Sequence, residues 1–143
     1  MSDAQIEVLG IGNAIVDVIA NAGDDFLVRH GMDKGGMALI DEERAAALYA
    51  AMGPGIEASG GSAGNTIAGI ASLGGKAAYI GRVRDDALGD IFAHDLRSIG
   101  VRFETSAATA GPSTARCLIL VTPDAQRTMN TYLGACAELT PDD

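Results

Sequence analysis

The residues best suited to chemistry lie in two polar stretches, one near the start of the chain and one near its middle. The first contains Asn13 and Asp17, and the second is the turn Gly60-Gly61-Ser62-Ala63-Gly64-Asn65. A carboxylate can accept hydrogen bonds from two vicinal hydroxyl groups, and an amide side chain can both donate and accept. Glycine allows a ligand to touch the backbone. These residue types would together suit a ligand with several hydroxyl groups.

Two predicted elements would position these stretches. Residues 6–12 form a short apolar run closed by glycine, which predicts a buried strand with Asn13 at its end. The central turn leads into a predicted helix ending near Leu73, whose first N–H groups lack partners inside the helix. Ligands of open α/β sheets bind outside the carboxyl ends of strands, so both stretches are expected to face one pocket.

Each polar residue also has a simpler interpretation. Asp17 could be a charge in a turn or on an edge strand, Asn13 could form an Asx-turn, and Asn65 could face solvent on the first helical turn. Glycine turns before helices are also common as plain connectors. The hypothesis of a binding site therefore rests on the residues acting together.

Helical and extended patterns alternate along the chain and predict an α/β fold. The predicted strands are 6–12, 14–20, 36–40, 76–80 and a hairpin of 116–121 with 126–133. The predicted helices are 24–30, 42–52, the helix after the central turn, and 87–99. Asp24, Asp41 and Asp86 are the expected helix caps. We expect a mostly parallel sheet with an antiparallel appendage.

Length and charge exclude several classes of protein. A chain of 143 residues fits one domain by size. Its 10 Lys and Arg against 19 Asp and Glu give a net charge of −9, which opposes binding to nucleic acid. Cys117 and Cys136 show no disulfide or metal-binding spacing. The first five residues lack a signal-peptide pattern, and no apolar run would span a membrane, so we expect a cytoplasmic protein.

Two nucleotide-binding motifs are nearly present but fail. Gly10 and Gly12 after the first strand would require a third glycine where Ile15 stands. A P-loop over residues 69–76 would require glycine at Ile70 and Ser or Thr at Ala77. No phosphate-binding loop is therefore predicted.

The sequence resembles the PfkB (ribokinase-like) family of sugar and nucleoside kinases over nearly the whole chain. The most specific part is the turn 60–65, the apolar helix after it and the run 81–89 (GRVRDDALG), which resemble the family's amino-terminal signature region. The run 12–17 (GNAIVD) is similar to the opening motif of adenosine-kinase-like members, in which the aspartate corresponding to Asp17 holds sugar hydroxyls. Arg84 departs from the pattern, because glycine is usual at that position.

The resemblance implies the amino-terminal half of a Rossmann-like ribokinase fold, with a small β-sheet lid formed by segments near 14–20, 36–40 and 114–133. Family members are about twice as long, and their second half carries the catalytic base and most of the ATP site. Residues 1–143 are therefore expected to be the substrate-binding part of a kinase that uses ATP and Mg²⁺, with no catalytic residue and no metal ligand of its own.

The expected substrate is a sugar or nucleoside. The sequence favours adenosine, with ribose or fructose as the alternative. The reasons are the spacing from Asn13 to Asp17 and the positions of Met37 and Leu39, which alternate onto one face of a lid strand and could cover a base. The expected substrate contacts are Asn13, Asp17, Met37, Leu39, Gly60, Gly61 and Asn65. Arg127 is a candidate for charge stabilisation, or else a charge that protects a strand edge. A non-catalytic assembly module, dimerising through the lid, is the other hypothesis.

Overall fold

Two β-sheets organise the chain in the computed structural model, which describes residues 5–143. Most of the run used above to argue against a signal peptide, residues 1–4, lies outside the described residues. The described part contains, in chain order, β1 (Val8–Ile11), β2 (Ile15–Asn21), α1 (Asp24–Arg29), β3 (Met37–Leu39), α2 (Glu42–Ala51), β4 (Ile56–Gly60), α3 (Ser62–Ser72), β5 (Ala77–Ile80), α4 (Ala87–Ser98), β6 (Arg102–Phe103), β7 (Ala115–Val121), β8 (Arg127–Tyr132) and a 3-10 turn (Gly134–Glu138).

The first sheet has the order β1-β5-β6, and all its strands are parallel. One face packs against the helices: Tyr79 and Phe103 meet Phe92 of α4, with ring centroids 5.7 and 5.5 Å from the Phe92 ring. Ile67 of α3 also lies in this core. The alternation of strands and helices confirms the predicted α/β class.

The second sheet, which we call the lid sheet, has the order β3-β8-β7-β2-β4. The predicted hairpin of β7 and β8 is antiparallel as expected. The sheet as a whole is mixed, because β2 pairs with β7 and β3 pairs with β8 in parallel, so the prediction of an antiparallel appendage was wrong.

Sequence reasoning missed β4. Its residues, Ile-Glu-Ala-Ser-Gly, contain little of the β-branched and aromatic material typical of strands. The segment is extended because it pairs antiparallel with β2 over five residues. Pairing across the sheet, and not local preference, creates this strand.

Two of the three aspartates that were predicted to cap helices do so in the structure. The Asp41 carboxylate accepts a hydrogen bond from Arg44 N at 2.8 Å, and Asp86 accepts one from Gly89 N at 2.8 Å. The prediction for Asp24 was wrong, because Gly23 is the cap and Asp24 is the first helical residue. The Asp24 carboxylate is still stabilised in the first turn, because it lies near the positive end of the helix dipole.

The prediction that the first strand is buried was also wrong. Leu9 and Ile11 are 53% and 60% exposed. They occupy an edge strand, on the face of the parallel sheet that no described helix covers. A cavity of about 480 Å³ lies there, bordered by Leu9, Ile80 and Arg102. Parallel sheets are normally covered on both faces, so this face is open in the described part of the fold.

Strand alternation divides the lid sheet into a core face and an outer face. Val16, Val18 and Leu118 point into the core beside Leu48 of α2 and Leu96 of α4. Asp17, on the intervening position of β2, therefore points away from the core. No helix in residues 5–143 is both long and apolar enough to cross a membrane.

The turn between β7 and β8 offers a stability prediction. Ala125 has a φ of 63°, in the left-handed region that favours glycine. Ala125→Gly is therefore expected to stabilise the fold by about 0.5–1 kcal/mol, measured by urea unfolding. The control Ala47→Gly, at an exposed position inside α2, should destabilise it by a similar amount. If Ala125→Gly destabilised the fold as much as Ala47→Gly does, the backbone of Ala125 would not be strained.

Candidate functional site

A cavity of about 490 Å³ lies where the start of α3 meets the outer face of the lid sheet. It contains most of the polar residues chosen from the sequence, including Asn13, Asp17 and Asn65. The residues that line it are Gly12, Asn13, Ile15, Asp17, Gly61, Ser62, Ala63, Asn65, Cys117, Ile119, Arg127, Met129 and Thr131. The fold thus brings together side chains from β2, α3, β7 and β8.

Asp17 is the only carboxylate among these lining residues. Its side chain is half-buried, and no described residue donates a hydrogen bond to it. Burial raises the pKa of Asp17 above its ordinary value, because removal from water disfavours the charged form. A half-buried carboxylate without a donor has unused acceptor capacity directed at the cavity.

Gly60 and Gly61 lie beside Asp17, and Gly61 lines the cavity whereas Gly60 does not. A Cβ atom on Gly60 would lie 2.5 Å from Cγ of Asp17, so the carboxylate packs directly against the Gly60 backbone. Gly61 has a φ of 83°, and a Cβ there would lie 2.7 Å from the carbonyl oxygen of Asn13. Both positions need glycine, for close approach at Gly60 and also for its backbone angle at Gly61.

The amino terminus of α3 adds backbone donors. The first hydrogen bond at this end runs from Asn65 N to the Gly61 carbonyl at 2.8 Å, and no described side chain caps the helix. The N–H groups of Ser62 and Ala63 therefore lack partners within the helix, and both residues line the cavity. They can donate to an oxygen atom of a ligand.

Two rows of side chains cross the cavity floor, because residues opposite each other in register share a face of the sheet. The first row is polar: Asp17, Cys117 and Thr131 lie side by side on β2, β7 and β8. Thr131 donates a hydrogen bond to Cys117 Sγ at 3.3 Å. Burial, together with the charge of Asp17, raises the pKa of the Cys117 thiol, which therefore stays neutral at pH 7.

The neighbouring row is apolar. Ile119 and Met129 are partners in register and line the cavity. Ile19 on β2 is opposite Ile119 and continues the row across the sheet. Sequence analysis missed Cys117, Ile119, Met129 and Thr131. Their signal was the two-residue period of the predicted hairpin, which places positions 127, 129 and 131 on one face.

Arg127 lies at the end of the cavity away from Asp17. It is four residues along β8 from Thr131, which corresponds to about 13 Å. Its side chain is exposed and borders the cavity. Its proposed part in charge stabilisation stays a prediction.

Met37 and Leu39 lie outside this cavity. They are opposite Met129 and Thr131 in register, so they continue the same face of the sheet onto the edge strand β3. Both are more than half exposed, and they border a separate cavity of about 600 Å³ that also contains Arg44. They adjoin the Met129 and Thr131 side of the Asp17 cavity without lining it, and their contact with a base stays a prediction.

Comparison with known proteins places this arrangement among kinases. A family model described as pfkB family carbohydrate kinase matches residues 56–143, more than half of the chain. The solved structure of adenosine kinase from Sinorhizobium meliloti is 60% identical, with a TM-score of 0.89 over 98% of this chain and 43% of that one. A probable sugar kinase from Rhizobium etli CFN 42 is 58% identical, with a TM-score of 0.89 over 97% of this chain and 42% of that one.

A fructokinase of Solanum tuberosum is 32% identical over 90 residues, which are 62% of this chain and 28% of the relative. The chain therefore spans less than half the length of these relatives.

Proposed function

The chain belongs to the pfkB family of carbohydrate kinases, and from that premise we propose that it supplies the substrate-binding part of a kinase that phosphorylates a nucleoside, preferably adenosine. The reaction would transfer the terminal phosphoryl group of ATP to a hydroxyl group of the substrate. A free sugar such as ribose or fructose is the alternative substrate, which the similarity to the potato fructokinase supports.

The observation that carries this proposal is the Asp17 carboxylate at the floor of the cavity, which is half-buried and receives no hydrogen bond from residues 5–143. Two vicinal hydroxyl groups would donate to its two oxygen atoms and restore the hydrogen bonds lost on burial. Asn13 and Asn65 border the same space and can donate or accept. These groups would orient a diol, and the rest of the ligand would contact the apolar row.

The two rows favour a nucleoside over a free sugar. A ribose ring held at Asp17 would place an attached base over Ile119 and Met129, the next row of the sheet. A free sugar has no apolar portion of that size and would leave these side chains without a partner. The 60% identity to an adenosine kinase supports the same choice.

ATP would provide the phosphoryl group, and Mg²⁺ would neutralise charge on its phosphates. In residues 5–143, no three His, Cys, Asp or Glu side chains come together in a way that could hold a metal ion. The part played by its own residues is to bind and orient the substrate.

Calorimetric titration of the chain with adenosine, ribose and fructose tests the substrate. Adenosine is expected to bind at least tenfold more tightly than ribose, because it alone contacts both rows. Asp17→Asn should remove most of this binding, whereas the exposed control Asp85→Ala should not change it. Binding of fructose without binding of adenosine would overturn the nucleoside preference, and an assay of ATP-dependent phosphorylation with the intact gene product would then identify the sugar.

Assembly through the lid sheet is a second candidate function, favoured by apolar side chains left exposed on its outer face. Ile56 is 71% exposed on one edge strand, and Met37 and Leu39 are exposed on the other. Light scattering with and without adenosine distinguishes the two functions. A monomer that binds adenosine supports the kinase proposal, and a dimer indifferent to adenosine supports assembly.

A further inference from the structure

Helix α4 holds two strands of the lid sheet through side-chain carboxylates. At its start, Asp86 accepts a hydrogen bond from Thr114 N at 2.9 Å, immediately before β7. Further along, Asp95 accepts one from Ser59 N on β4 at 2.7 Å. These strands lie on either side of β2, which carries Asp17. One helix of the parallel-sheet layer therefore fixes both neighbours of the strand that bears the carboxylate.

The contact between Asp95 and Ser59 is the more unusual of the two. β4 is an edge strand, so a backbone N–H group that points away from β2 has no neighbouring strand to receive it. The Asp95 carboxylate takes the place of that strand. A hydrogen bond to a charged acceptor is roughly twice as strong as a neutral one and is more demanding in geometry.

Ser59 lies between the two residues of β4 that touch the Asp17 region. Ala58 is opposite Asp17 in register, and the backbone of Gly60 packs directly against the Asp17 carboxylate. Gly61 follows and begins the turn into α3. A shift of β4 at Ser59 would therefore move the wall of the cavity and the surface on which Asp17 rests.

We propose that Asp95 is a positioning residue for the substrate site, because its hydrogen bond to Ser59 N holds Gly60 against the Asp17 carboxylate. The proposal rests on the function proposed above, in which Asp17 binds the hydroxyl groups of a nucleoside. Asp95 itself does not line the cavity, so it would not touch a ligand bound there. It acts through the backbone of β4.

The test compares Asp95→Ala with Asp95→Asn in the full chain, using adenosine as the probe. Asp95→Ala removes the acceptor and is expected to weaken adenosine binding about tenfold. Asp95→Asn keeps an oxygen acceptor and should stay within about threefold of the wild type. Asp90→Ala, which removes an exposed carboxylate from the same helix, should leave binding unchanged.

A second measurement separates positioning from a general loss of stability. NMR titration of the Asp17 carboxyl carbon reports its surroundings without any ligand. In Asp95→Ala, release of β4 should expose the carboxylate to water and move the pKa of Asp17 down toward its ordinary value. Cys117 is the titratable group opposite Asp17, and it remains a neutral thiol over this pH range.

The outcomes distinguish this proposal from the proposed function. If wild-type chain does not bind adenosine, the function fails, and the Asp17 titration still tests the role of Asp95. An unchanged titration in Asp95→Ala would overturn the positioning role. Equal loss of binding in the Ala and Asn variants would also overturn it, because the negative charge and not the hydrogen bond would then be responsible.

Discussion

Replacing Asp17 by alanine is expected to lower kcat/KM for adenosine roughly 30- to 1000-fold in the kinase proposed above, which corresponds to about 2–4 kcal/mol of lost transition-state stabilisation. The carboxylate would accept two hydroxyl hydrogen bonds, and a bond to a charged group contributes about 1.5–3 kcal/mol; because the cavity is only partly desolvated, water would replace part of what is lost. No described residue can take over, because none of the other residues that line the cavity carries a carboxylate. Steady-state kinetics on the intact enzyme measure the effect.

Replacing Asp17 should lower kcat/KM but should not lower the free energy of unfolding at pH 7. Burial raises the pKa of Asp17, so the folded state holds a proton at this site more readily than the unfolded state does. Its ionisation therefore reduces the free energy of unfolding as pH rises from about 4, the ordinary carboxyl value, through the raised pKa. Asp17→Asn is expected to be at least as stable as wild type at pH 7, and its stability should depend less on pH above 4.

Kinetics and stability measured together decide the role of Asp17. Asp85→Ala serves as the control, because that carboxylate is exposed and lies outside the cavity. A purely structural carboxylate would give the reverse pattern, in which the melting temperature falls and turnover per folded molecule is preserved. Near-wild-type kinetics in Asp17→Ala would show that the hydroxyl groups bind elsewhere.

The largest expected effect on stability belongs to Asp86. Its Oδ1 accepts hydrogen bonds from Gly89 N at 2.8 Å and from Thr114 Oγ1 at 2.7 Å, and its Oδ2 accepts one from Thr114 N at 2.9 Å. Thr114 is fully buried. Asp86→Ala would remove the cap of α4 and leave two buried donors of Thr114 without this partner.

Asp86→Ala is therefore expected to reduce the free energy of unfolding by about 2–4 kcal/mol, of which about 1 is the helix cap and the rest is the buried donors. The melting temperature should fall by roughly 10 °C. Asp86→Asn keeps one oxygen acceptor but turns its NH₂ group toward an N–H donor of Gly89 or Thr114, so it should lose most of the same stability. Asp90→Ala, on the first turn of the same helix, should change stability by under about 0.5 kcal/mol. Urea unfolding of the four proteins measures these differences, and a loss below 1 kcal/mol in Asp86→Ala would contradict the proposed network.

The sequence was sufficient for features that depend on neighbouring residues. Alternation of apolar runs with capped helices predicted the α/β class, and Asp41 and Asp86 cap their helices as expected. The hairpin of β7 and β8 followed from two extended runs separated by Thr-Pro-Asp-Ala. These features arise from backbone geometry within a few residues, so the local sequence contains the necessary information.

The site was predictable in part. The types of Asn13, Asp17 and Asn65 indicated binding of hydroxyl groups, and the fold brings all three to one cavity. Their role as ligand contacts stays a prediction until binding is measured. The sequence alone did not give the cavity floor, because Cys117 and Thr131 become neighbours of Asp17 only through the register of β2, β7 and β8.

Tertiary structure decided the remaining features through pairing between distant segments. It made a strand of residues 56–60, whose composition is poor for strands, because the segment pairs with β2 and the Asp95 carboxylate accepts a hydrogen bond from Ser59 N. It exposed β1, which the sequence predicted to be buried, because no described helix covers one face of the parallel sheet. It also placed Met37 and Leu39 beyond the cavity, on an edge strand. Residue type fixes what a side chain can do, whereas strand register and sheet order determine which side chains it meets.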